Sequence, residues 1–70
     1  MYIYLISEDC HGLLGVFSSK ENGINFLKEE WDLSNNYESE PYRDNCTEIW
    51  DSDRNGLFYI EKKEVDNPNF

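Results

Sequence analysis

Asp51, Asp53, Asn55 and Gly56 have the opening spacing of a calcium-binding loop, which takes oxygen ligands at positions 1, 3 and 5 and a glycine at 6. Position 12 of such a loop must be a bidentate glutamate; here it is Lys62, and Glu61 comes one place early, at a different angle. A calcium loop also needs a helix on each side, whereas residues 47–50 and 57–61 are rich in the β-branched and aromatic types that favour strands. The stretch therefore reads as a hairpin. Asn55-Gly56 takes the positive φ angles of the turn, and the Asp side chains cap nearby backbone donors. At most, Asp51 and Asp53 form a weak surface ion site.

Nucleophilic chemistry has one candidate pair, Cys10 and His11. Neighbours on a turn project in different directions, and no third residue is placed to orient the imidazole. Two cysteines and one histidine, separated as here, make a weak zinc set. Carboxylates are plentiful, but a general acid or base needs a pocket that shifts its pKa, and a chain of 70 residues has little material to enclose one. Glycines 12, 15, 23 and 56 do not form a phosphate-cradling pattern. The expectation is a protein without catalysis, cofactor or tightly held metal.

The elements that position these residues follow from periodicity. Residues 1–6, MYIYLI, form a continuous apolar and aromatic run, as in an inner strand covered on both faces. A polar reversal ending at Gly12 leads to a second strand over 13–17. Ser18 followed by Glu21 has the capping-box spacing and predicts a helix start. Ile24, Leu27 and Trp31 then fall at i, i+3 and i+7, with Phe26 widening the stripe. Gly23 weakens the first turn by about 1 kcal/mol relative to Ala, so tertiary contacts must hold the helix. Residues 34–45 are polar and interrupted by Pro41, and read as a long surface loop. Strands over 46–50 and 57–65 close a single domain spanning 1–66, with 67–70 as a tail. The expected class is α+β: a four-strand antiparallel sheet in the order β-β-α-β-β with one helix on one face.

One helix covers one face only. If Ile3 and Leu5 look toward it, Tyr2, Tyr4 and Ile6 look outward, and Tyr59 could extend that aromatic surface. Two outcomes remain open: self-association through the Tyr2/Tyr4/Tyr59 face, or cover by the long loop folding back.

Fifteen acidic and six basic side chains give a net charge of -9, which opposes direct binding to nucleic acid or to an anionic membrane. No apolar run approaches the roughly 20 residues that span a bilayer, and the start lacks a signal-peptide pattern, so a cytoplasmic protein with reduced cysteines is expected. The natural partner is basic. The residues named for it are Glu29, Glu30 and Asp32 at the helix end, Tyr37, Glu38, Glu40, Tyr42 and Asp44 in the loop, and Glu48, Asp51 and Asp53 around the second hairpin. The helix-end carboxylates oppose the helix dipole, which makes them hard to explain by folding. Solubility alone is the competing explanation for the acidity.

Tyr2-Ile3-Tyr4-Leu5-Ile6, then Gly15-Val16-Phe17-Ser18-Ser19-Lys20-Glu21 and a short helix, resembles an uncharacterised family of very short phage and bacterial proteins. Those proteins share a similar Gly-Val-Phe/Tyr-Ser-Ser turn, and the likeness covers roughly the first 30 residues and the final strand. Where they usually carry an Ala on the helix, this chain has Gly23-Ile24, and its acidic loop has no counterpart among them. The resemblance implies a fold and a phage or mobile-element setting. By size and charge the chain is similar in kind to the anti-CRISPR and anti-restriction inhibitors of that setting, many of which mimic DNA. Three functions are therefore expected in order: an inhibitor occupying a basic nucleic-acid-binding surface of a host or defence protein, a dimerising interaction module, and a weak calcium module.

Overall fold

The computed structural model describes residues 1–51 and 56–65. The chain runs β1 Tyr2–Glu8, β2 Gly12–Phe17, α1 Lys20–Glu30, β3 Glu38–Arg43, β4 Cys46–Trp50 and β5 Leu57–Glu64. Among the described residues the class is α+β with one helix, and the antiparallel sheet has five strands rather than four, in the order β2-β1-β5-β4-β3. The additional strand is β3, within the segment expected to be a loop. Its six residues, ESEPYR, are all exposed, so it lacks the apolar alternation that marks a half-buried strand. As an edge strand it tolerates Pro41, whose missing N–H would break an inner ladder. It neither folds back over the sheet nor leaves it, and simply extends it.

The helix starts one residue later than the capping-box spacing predicts. Ser19, with extended φ of -146° and ψ of 156°, is the N-cap, and its hydroxyl accepts the Asn22 N–H at 3.1 Å. Ser18 receives the Asn22 side-chain amide at 3.3 Å instead. At the other end the Trp31 and Leu33 N–H groups both return to the Leu27 carbonyl, at 3.0 and 3.1 Å. Asp32 lies between them in the left-handed region, at φ 56°. This reversal drops Leu33 into the core, where it is 5% exposed.

The core forms where α1 crosses β1 and β2. Ile6, Leu27 and Ile49 are fully buried, with Phe58 and Ile60 beside them. Cross-strand pairing explains the set: Ile6 faces Ile60 on β5, and Phe58 faces Ile49 on β4. A Cβ on the buried Gly23 would stand 2.6 Å from Ile6 Cδ1, so the missing side chain lets the helix descend onto this row.

Ile6 therefore points toward the helix, and by alternation so do Tyr2 and Tyr4, while Ile3 and Leu5 point away. This reverses the orientation expected from sequence. Tyr59 pairs with Ser7 and so belongs to the opposite face from Tyr4. The Tyr2/Tyr4/Tyr59 surface does not exist as one patch: Tyr2 instead lies under Lys62 Nζ, 4.0 Å from its ring centre. The physical reason is that an all-apolar run has no phase of its own. Its partners supply the phase: Gly23 above Ile6 and Ile60 across from it.

Cys46 is buried and Cys10 exposed, both as free thiols. Strands, not helices, flank the Asp51 region, and Asp53 and Asn55 lie outside the described residues. Among the described residues no group of His, Cys, Asp and Glu is arranged to hold a metal, and no helix is long and apolar enough to cross a membrane.

Candidate protein-binding face

The face of the sheet away from the helix is open, and its composition changes across the strands. Toward the β2 edge it is apolar: Leu5 faces Val16, and Leu13 and Val16 are 62% and 51% exposed. Toward the β3 edge it is acidic and aromatic. The pairs Glu38–Trp50 and Glu40–Glu48 alternate with Ser39–Ile49, so Glu38, Glu40, Glu48 and Trp50 share the face opposite the buried Ile49. Glu48 in turn faces Tyr59, and Cys46 faces Glu61. Tyr42 follows Glu38 and Glu40 in the same alternation, beside a register irregularity between Pro41 and Arg43, and stacks near Tyr59 with ring centres 5.1 Å apart.

Three glutamates thus form a rail beside three rings. Trp50 Nε1 donates to Glu38 Oε2 at 3.1 Å, which fixes the indole along the rail. Glu38 and Glu40 are anchored about 6.8 Å apart along β3, two residues of an extended strand. Between rail and apolar stripe runs a groove of about 390 Å³ that includes Leu5, Leu13, Tyr42 and Tyr59, with Asp9 and Glu61 among its walls. Burial raises the Tyr59 hydroxyl pKa above its usual 10.0, and Asp9, Tyr42, Glu48 and Cys46 push it further up. Of those neighbours Asp9 and Glu48 are carboxylates, which make the local potential negative and favour cations.

A second cavity, of about 300 Å³, lies at the other layer and includes Glu8, His11, Trp31, Leu33, Asp51 and Phe58. Glu8 is 8% exposed. Its Oε1 accepts the Cys10 N–H at 3.0 Å, and its Oε2 is bonded to His11 Nδ1. The His11 bond, then the Cys10 N–H, lower the Glu8 pKa against the opposing effect of burial. A carboxylate held in this way is a poor proton acceptor at neutral pH. The imidazole is held between Glu8 and the Trp31 ring, 5.3 Å centre to centre, and Trp31 stands edge-on to Phe58 at 6.0 Å. The arrangement clamps the β1–β2 turn to the helix end, and His11 is committed to that clamp.

Of the residues named from sequence, Glu38, Glu40, Tyr42 and Glu48 come together on the open face. Asp44 sits in the exposed β3–β4 turn beside Asn45, which takes a left-handed φ of 62°. Glu29 and Glu30 are exposed at the end of α1, in the other layer. Tyr37 packs on the core, with Lys28 Nζ 5.7 Å from its ring centre. Asp32 and Asp51 have roles in the fold: Asp32 supplies the left-handed turn after the helix, and Asp51, 4% exposed, accepts the Ser34 N–H at 2.8 Å. Asp53 is outside the described residues. Sequence reasoning missed Trp50, Glu61 and Asp9 as parts of the open face. The period-two alternation Glu48-Ile49-Trp50 and Tyr59-Ile60-Glu61 was the signal that could have found the first two.

No protein-family model, curated protein or solved structure matches this chain, so the reading of the site rests on its own residues.

Proposed function

We propose that this protein is a non-enzymatic acidic binding module that seats a basic surface of another protein against the open face of its sheet. The single observation that carries this reading is the Glu38/Glu40/Glu48 rail lying beside Tyr42, Tyr59 and Trp50. The partner's Lys and Arg side chains align on the carboxylates while the rings supply contact area at low entropic cost. A surface that accepts such a rail is one built for phosphates, so the partner class is a nucleic-acid-binding protein. The phage setting implied by the opening strands makes a host or defence protein the natural member of that class. The Glu40–Glu48 pairing supports a functional origin for the rail, because like charges directly opposite each other weaken a sheet.

The test is capture from a host lysate at about 50 and 500 mM salt, where screening lengths differ several-fold. The expected result is a nucleic-acid-binding protein retained at low salt, released at high salt and displaced by its own nucleic acid. The triple variant Glu38→Gln, Glu40→Gln, Glu48→Gln loses it; Glu21→Gln, Glu29→Gln, Glu30→Gln, neutralised on the helix, keeps it. Capture indifferent to salt and to both triples would refute charge mimicry.

A further inference from the structure

We infer that the groove on the open face is a receptor for one arginine side chain of the partner, and that Arg43 is the chain's own weak tenant of that site. The inference rests on the functional reading above and adds the recognised chemical group.

The groove has the three features a guanidinium needs. Leu5 and Leu13 offer apolar surface for the side-chain stem. Tyr42 and Tyr59, 5.1 Å apart and tilted by 54°, offer ring faces on which a planar cation stacks. Asp9 and Glu61 stand on either side of Tyr59 along the strand: the Asp9 N–H bonds the Leu57 carbonyl two residues before Tyr59, and Glu61 follows two residues after it. About 390 Å³ is ample for one such side chain.

Arg43 shows the same chemistry within the molecule. Its guanidinium carbon lies 5.8 Å from the Tyr42 ring centre, and Nη2 is 4.0 Å from Glu61 Oε1. Both contacts are at the long end of their ranges, and the Arg43 and Glu61 side chains are 65% and 41% exposed. Contacts this loose and this wet hold little. An incoming arginine exchanges with Arg43 at small cost, because two guanidinium charges side by side at Glu61 repel each other. Arg43 is thus a competitor placed at the rim, and its removal should tighten binding.

The probe is N-acetyl-arginine-N-methylamide, titrated into ¹⁵N-labelled protein and compared with the matching citrulline compound, a neutral isostere. The arginine probe should shift the amides of Leu5, Leu13 and Tyr59, and the citrulline compound should not. Arg43→Ala should raise affinity about three- to tenfold, as expected for removing a unit charge a few ångströms away, and Glu61→Gln should lower it by a similar factor. Arg43 is exposed and Glu61 half-buried outside the hydrophobic core, so neither change removes a core contact. Equal shifts with citrulline, shifts spread evenly to the Glu29 and Glu30 amides, or unchanged affinity in Arg43→Ala would overturn the inference. If rail variants abolish lysate capture while the groove stays silent, only the groove inference fails. If the arginine probe binds the groove while capture ignores charge, only the wider reading fails.

Discussion

Glu40 lies directly across the β3–β4 ladder from Glu48, on the same face of the sheet. Side chains in that relation have Cβ atoms about 5 Å apart, and like charges there cost a few tenths to about 1 kcal/mol. Glu48→Thr should therefore stabilise the protein, raising its melting temperature by about 2–4 °C for a domain of this size, while weakening capture of the basic partner. Calorimetry of the variant checks the first effect. A lower melting temperature would show that the rail is held by contacts other than simple repulsion.

Gly23 and Ile6 form the closest approach between helix and sheet, 2.6 Å for an added Cβ. Gly23→Ala gains about 1 kcal/mol in helix propensity, yet it forces apart a fully buried pair, which costs about 1–3 kcal/mol. The expected outcome is a net loss of about 1 kcal/mol in denaturant unfolding. Ile6→Val removes the clashing methyl, so the two changes combined should be less harmful than their sum. Strict additivity would mean that the helix shifts instead.

Asp32 sits at φ 56° where the helix turns back. Substituted residues with a Cβ are penalised there by about 1–2 kcal/mol relative to glycine. Asp32→Gly and Asp32→Ala both lose the carboxylate, so their difference isolates the backbone. Asp32→Gly should be the more stable by about 1 kcal/mol, measured by urea midpoint at constant slope.

Glu8 ionises below its ordinary 4.5, chiefly through the His11 bond. A carboxyl group with a lowered folded pKa contributes stability that is present above pH 4.5 and disappears as pH falls through the lower, folded value. The stability difference between the wild-type chain and Glu8→Gln should therefore shrink on acidification below pH 4.5. His11→Ala removes the main cause, and its acid transition should move to higher pH, as followed by circular dichroism. Parallel acid curves for all three chains would dissociate the clamp from the titration.

The parts of the fold legible in the sequence were those with a period. The helix stripe of Ile24, Leu27 and Trp31 and the strands over 46–50 and 57–64 could be read because one side of each is buried. β3 could not, because a strand exposed on both faces has no alternation, and Pro41 argues against pairing unless the strand is known to lie at an edge. The orientation of β1 was equally hidden, since MYIYLI is apolar at every position and the face that meets the helix depends on distant partners, Gly23 on α1 and Ile60 on β5. At the candidate site the acidic residues were visible as composition. Their division into a rail, a helix-end group and two carboxylates used by the fold depends on pairing partners far away in the chain. Asp51 bonding Ser34, seventeen residues off, is an example that no local pattern encodes.

The central strand, β5, pairs on one side with β1 from the far end of the chain: Tyr4 pairs with Lys62, and Ile6 with Ile60. Their ladder can form only after more than fifty intervening residues have been gathered, whereas β1–β2 and β3–β4 are local hairpins that close early. Non-local pairing of this kind places folding in the slow regime of small domains, roughly milliseconds to seconds. A nascent chain holding β1 to β4 owns one hairpin with the helix laid on it and a second hairpin apart from it, and becomes one body only when β5 slides between its halves.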